Sequence, residues 1–118
     1  MRNIAAIVLA VGVGAGAAGP ASAGFYSGSM LLDECGANLT DPVFFQKEAQ
    51  CRAYVTGVAD SFSCEDPFAG SRWRSPQDVT QAQIKDVAVK FLRSNPERLR
   101  LLASVLVARA LQEAFPCP

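Results

Sequence analysis

Histidine is absent from this chain of 118 residues. That removes the commonest general base, a common metal ligand and the side chain that titrates nearest neutral pH. An excess of charge of either sign is missing too, since eleven basic side chains stand against eleven acidic ones. Neither nucleic acid nor an acidic membrane surface is therefore indicated as a partner. Aromatic residues make up 8% of the chain and include one tryptophan, so any large core has to be built from aliphatic residues. No segment after residue 23 stays uncharged for the roughly 20 residues that a membrane-spanning helix needs.

What the chain does have is a leader and four cysteines. Met1-Arg2-Asn3 precede the apolar run Ile4–Gly19, and Pro20-Ala21-Ser22-Ala23 follows it, with small residues placed to suit a signal peptidase. Residues 1–23 are expected to be a cleaved signal peptide and residues 24–118 a single exported domain, directed to a bacterial periplasm. The first cysteine, Cys35, lies well past the cleavage site, so no lipid anchor is available on a new N-terminal residue. Removing residues 1–23 leaves 95, with ten basic against eleven acidic side chains. A domain of that size has a thin core, and covalent staples count for much of its stability.

The periodicity of the mature part is helical almost throughout. Ser29 is placed to cap a short helix over Met30–Cys35, closed by Gly36. Asp41-Pro42 signals the start of a second helix running to about Ser63, with Phe44, Cys51, Val55, Val58 and Phe62 on one stripe. Glu65 to Val79, bearing proline and glycine, reads as a loop. Thr80 with Gln83 forms a capping box for a third helix, whose Ile84, Val87, Ala88, Phe91 and Leu92 share one face. Asn95-Pro96 opens a fourth, expected to continue to Phe115. The fold class is all-α, a small disulfide-stapled bundle of four helices.

The fourth helix carries two apolar stripes. Leu99, Leu102, Ala103, Leu106, Ala110 and Ala114 form the core stripe, and Leu101, Val105 and Ala108 lie roughly opposite. Either this helix sits in the centre of the bundle, or Leu101, Val105 and Ala108 form the seam of a homodimer.

Helix geometry restricts the cysteine pairing. Along one helix from Asp41 to Ser63, Cys51 and Cys64 are about 20 Å apart, which forbids a bond between them. For Cys35 to reach Cys64, six connecting residues spanning about 20 Å would have to offset a helix of roughly 33 Å. Cys35–Cys51 and Cys64–Cys117 remain. A zinc site is disfavoured by separations of 15, 12 and 52 residues, which lack the paired spacing zinc usually draws on. No cofactor is indicated.

Catalysis finds little to work with. Asp33-Glu34 and Glu65-Asp66 are sequence neighbours beside turns and read as solvated or capping charges, and Ser61 and Ser63 near Asp60 have no base. An enzyme is not expected. Gly57, inside the second helix, costs about 1 kcal/mol relative to alanine, for which close packing of another helix is the usual compensation. Tyr54 lies at the edge of the core stripe. Asp60 reads first as a solvated or capping charge and second as a partner contact. The triplet Arg72-Trp73-Arg74 is either an exposed contact, since tryptophan and arginine are enriched in interface hot spots, or a lid in which Trp73 covers the thin core.

The ordered set Leu31-Leu32-x-x-Cys35, Cys51-x-x-Tyr54-x-x-Gly57-x-x-Asp60, Cys64 with Pro67, Phe91-Leu92-x-x-x-Pro96-Glu97, Ala110-Leu111 and Phe115-Pro116-Cys117 resembles the Rap/Tai family. The resemblance covers Leu31 to Cys117. It implies a small periplasmic immunity protein that binds and occludes a peptidoglycan-cleaving amidase effector of type VI secretion, and that pairs as a homodimer. The fifteen residues from Glu65 to Val79 depart from the family pattern, which has a brief turn there. The alternative is a small disulfide-bonded acid-stress chaperone of the periplasm, whose switch would have to run on Asp and Glu alone below about pH 5.

Overall fold

The computed structural model describes residues 26–118; the expected signal peptide, residues 1–23, and the expected mature start at Gly24 lie outside the described residues. Four α-helices form the domain: α1 over Gly28–Cys35, α2 over Phe44–Asp60, α3 over Gln81–Ser94 and α4 over Ala103–Ala114. A single 3-10 turn, Pro96–Arg98, lies between α3 and α4, and no strand occurs among the described residues beyond two isolated bridges.

Local chemistry accounts for most boundaries. The cap of α1 is Ser27 rather than Ser29: the Met30 amide donates to the Ser27 hydroxyl at 3.2 Å, and Gly36 closes the helix by donating to the Leu32 carbonyl at 2.8 Å. Asp41-Pro42 begins a turn before it begins a helix. The Asp41 carboxylate accepts from the Val43 amide at 2.9 Å, an Asx turn that delays α2 to Phe44, and the helix ends at Asp60. The capping box of α3 is present in both directions, with the Gln83 amide donating to the Thr80 hydroxyl at 3.2 Å and the Thr80 amide donating to the Gln83 side chain at 2.8 Å.

The expected continuous fourth helix is broken. Leu99–Leu102 leaves the helical path because its backbone groups bind the start of α1: the Ser29 amide donates to Leu99 and the Gly28 amide to Leu101, both at 2.9 Å. The Ala103 amide in turn donates to Tyr26 at 2.7 Å, which satisfies one of the orphan donors at the start of α4. This tertiary pairing overrides a sequence that has no breaker after Pro96.

Gly28 is required at that junction. A Cβ built there would lie 2.5 Å from the Leu106 Cδ1 and 3.1 Å from the Leu99 carbonyl oxygen. Leu106 can turn aside, but the backbone cannot. Gly28→Ala is therefore expected to destabilise the domain by about 1–3 kcal/mol, read as a lowered midpoint in urea unfolding with unchanged slope.

α4 is the central helix and touches α1, α2 and α3. Ala103, Leu106, Val107, Ala108, Ala110 and Leu111 are all buried, joined in the core by Leu31, Val55, Leu92 and Trp73. The disulfides are Cys35–Cys51, between the end of α1 and the middle of α2, and Cys64–Cys117, between the segment after α2 and the segment after α4. This pairing matches the one that helix lengths allow.

The α2–α3 contact also carries a charge pair. The Lys85 ammonium lies 2.6 and 2.7 Å from the two oxygens of Glu48, with Arg52 at 3.3 Å. Lys85, and to a lesser degree Arg52, hold the Glu48 carboxyl below its ordinary pKa. Because the folded value lies below the unfolded one, the pair's contribution is full above about pH 4.3 and is lost as pH falls through the folded value. The melting temperature of the wild type should therefore fall more steeply below about pH 4 than that of Glu48→Gln, and equal slopes would remove this pair as the cause.

Candidate functional site

The two candidate surfaces lie at the two ends of α2, one on the loop after it and one on the α1–α2 connection with the first turn of α2. The Glu65–Val79 loop leaves Cys64 and turns sharply at Phe68–Ser71, where the Phe68 and Ser71 backbones exchange two hydrogen bonds of 3.0 and 2.8 Å. Both central residues have positive φ, 47° at Ala69 and 77° at Gly70. Gly70 takes this without cost, whereas at Ala69 it stores about 1–2 kcal/mol. All six residues from Glu65 to Gly70 are exposed.

Beyond the turn the chain is extended, and its side chains alternate. Arg72 and Arg74 point outward, and Trp73 points inward with only 4% of its surface exposed. The indole Nε1 donates to the Phe62 carbonyl at 2.8 Å and to the Ala59 carbonyl at 3.2 Å, which satisfies acceptors at the end of α2. Its ring packs 6.1 Å from Phe62 and 6.0 Å from Phe115. Of the two readings of Trp73, the lid over the core is the one the structure shows, and the exposed contact is corrected. Arg72 and Arg74 remain at the surface. The Arg72 amide donates to the Gln112 side chain at 2.8 Å, and the Arg74 amide donates to Phe115 at 3.0 Å. The Arg74 guanidinium meets Glu65 at 3.5 Å with both groups in water, a pair of small energetic weight.

Asp60 is exposed at the end of α2, on the rim of a depression of about 370 Å³ that Thr56, Ser63, Trp73 and Ile84 also line. The nearby serines are spent on backbone groups: the Ser61 hydroxyl donates to Val58 at 2.7 Å, and the Ser63 hydroxyl accepts from the Glu65 and Asp66 amides. Neither is poised as a nucleophile. Tyr54 is half-buried against Tyr26, their ring centroids 5.1 Å apart. Among the described residues no group of three or more Cys, Asp or Glu side chains is disposed to hold a metal ion, and no helix is long and apolar enough to cross a membrane.

Leu101, Val105 and Ala108 do not form one face. Leu101 precedes α4 and is 43% exposed, Val105 is half-buried, and Ala108 is fully buried in the core. A seam built on all three is corrected, because Ala108 is enclosed in the core and Leu101 lies before α4 rather than on it. Gly57 meets no helix at all; nothing lies within 4 Å of where its Cβ would be.

The second surface was not anticipated. At the α1–α2 corner Leu39 is 82% exposed, Phe45 83% and Val43 45%. Lys47 braces this corner through ion pairs of 3.0 Å to Asp41 and 3.4 Å to Asp33, and Cys35–Cys51 fastens its base. The Val43 amide and Lys47 hold the Asp41 carboxyl below its ordinary pKa. Phe45, one residue after Phe44, is turned about 100° away from the core stripe of α2, which leaves it at the surface.

No curated protein matches the chain. The family model of Rap1a immunity proteins matches residues 27–117, which takes in all four helices, both disulfides and both surfaces. The chain belongs to the Rap1a immunity protein family.

Proposed function

We propose that this protein acts in the bacterial periplasm as a type VI secretion immunity protein that binds a peptidoglycan amidase effector and blocks it by occlusion, without chemistry of its own. The observation that carries the reading is the family match over residues 27–117. The leader over residues 1–23 supports export, and the lack of histidine together with serines engaged by the backbone supports a binder over a catalyst. Occlusion needs a protruding element that keeps its shape. Two are available: the exposed turn Glu65–Gly70 with Arg72, Arg74 and Asp60 around its base, and the braced apolar corner of Leu39, Val43 and Phe45. Exposed apolar clusters of that kind are common in protein-binding surfaces. The reading also includes pairing of two copies, which sedimentation of the mature protein measures directly.

The test is inhibition of an amidase effector by the mature protein in equimolar amount, with binding measured in parallel. Arg72→Ala/Arg74→Ala, which leaves Trp73 in place, is expected to weaken binding by about 2–4 kcal/mol at an unchanged melting temperature. Phe45→Ser probes the other surface independently. The reading fails if the amidase effector stays fully active in its presence.

A further inference from the structure

The two disulfides differ in what surrounds them. Cys35 and Cys51 are 7% and 0% exposed and belong to the core, whereas Cys64 and Cys117 are half-exposed and lie outside it. Thiol–disulfide exchange requires a thiolate to reach a sulfur atom, so access decides which bond reacts. Cys64 opens the Glu65–Val79 loop, and Cys117 lies two residues beyond Phe115. Phe115 is where the same loop is held a second time, by the Arg74 amide at 3.0 Å and by the Trp73 ring at 6.0 Å. Gln112, one turn earlier on α4, holds the Arg72 amide. The Cys64–Cys117 bond is thus the covalent end of a row of contacts that keeps the loop on α4.

We propose that Cys64–Cys117 is a redox-sensitive clasp, opened selectively by a dithiol, whose opening loosens the Glu65–Val79 loop while Cys35–Cys51 keeps α1 and α2 joined. In the reaction one thiolate of the dithiol attacks a sulfur of the clasp, the cystine S–S bond breaks, and the other cysteine leaves as a thiolate and is protonated. The second thiol of the reductant then attacks the mixed disulfide. The products are an oxidised, disulfide form of the reductant and two cysteine thiols, so the cystine gains two electrons and two protons. The loop that carries Arg72 and Arg74 would in this way be held closed under oxidising conditions and freed under reducing ones. The clasp acts on the loop whether or not an effector is bound there, so it stands apart from the proposed function.

The experiment uses the mature protein with dithiothreitol, quenched at intervals with an alkylating agent and mapped by mass. Trp73, the single tryptophan, reports on the loop through acrylamide quenching. Cys64 and Cys117 are expected to be labelled at least tenfold sooner than Cys35 and Cys51. Quenching of Trp73 should rise at least twofold with that first labelling, at unchanged helical circular dichroism. Simultaneous labelling of all four cysteines, earlier labelling of Cys35 and Cys51, or quenching that ignores the first step would each overturn the proposal. Cys64→Ser/Cys117→Ser should reproduce the loosened loop in a helical protein, and a variant that loses its helices would show that the bond holds the whole domain instead.

Discussion

Trp73→Ala is expected to lower the stability of the domain by about 3–5 kcal/mol, the usual cost of deleting a buried indole. The side chain is 4% exposed, joins Phe62 to Phe115, and donates to two carbonyls at the end of α2. Its removal leaves a cavity and returns the Ala59 and Phe62 carbonyls to an environment with no donor in place. For a domain of this size each kcal/mol moves the melting temperature by about 4–8 °C, so a loss well above 10 °C is expected in a thermal melt. A loss under 1 kcal/mol would mean that the loop contributes nothing to the core. Trp73→Phe separates the two causes, because it keeps most of the packing and removes only the donor.

Cys35→Ala/Cys51→Ala should be the next most damaging change. The bond closes a loop with a sequence separation of 16, for which the chain-entropy account gives about 3 kcal/mol. Cys51 is fully buried, so the lost sulfurs also leave a gap in the core. α1 is only eight residues long and depends on its neighbours for stability. The melting temperature should fall by about 10–25 °C, and α1 amides should exchange with solvent sooner than those of α3. Equal protection of α1 and α3 would contradict this role.

Some local signals are legible in the sequence, although the cap of α1 falls at Ser27 rather than Ser29 and Asp41-Pro42 makes a turn before α2 begins. The capping box at Thr80 and the glycine closing α1 depend on residues three or four apart, and both are present. The disulfide pairing was accessible because it rests on the length of a helix against the reach of a short connection, an argument that survives the later start of α2 at Phe44. Features set by the presence or absence of tertiary neighbours carry no local mark. The break at Leu99–Leu102 exists because α1 offers hydrogen bonds there, and Gly28, the residue that permits the approach, is 71 positions from Leu99. Gly57 suggested a neighbouring helix, and open space stands beside it instead.

At the candidate site the alternation of Arg72, Trp73 and Arg74 in an extended segment was the available clue. Two charged residues flanking one large apolar one fit a strand-like, half-buried segment better than a fully exposed loop. At the α1–α2 corner the clue was partial: Phe45 is turned about 100° off the core stripe of α2, whereas Leu39 and Val43 are exposed because of where α1 ends and α2 begins.

The order of the cysteines along the chain bears on how the oxidised protein is reached. Cys35 pairs with Cys51, the next cysteine, and Cys64 pairs with Cys117, the one after that. In a chain that emerges through a membrane pore N-terminal end first, the first two thiols to appear are native partners, and the third waits for the fourth. An oxidant that joins thiols as they arrive would therefore make native bonds in sequence. Chain entropy alone would not select that bond, since a mispaired Cys51–Cys64 loop, 64 − 51 = 13 positions against 16, is the shorter, so the order of delivery is what favours the native pair. Oxidative maturation of this domain should accordingly depend on an oxidant and have little need of an isomerase.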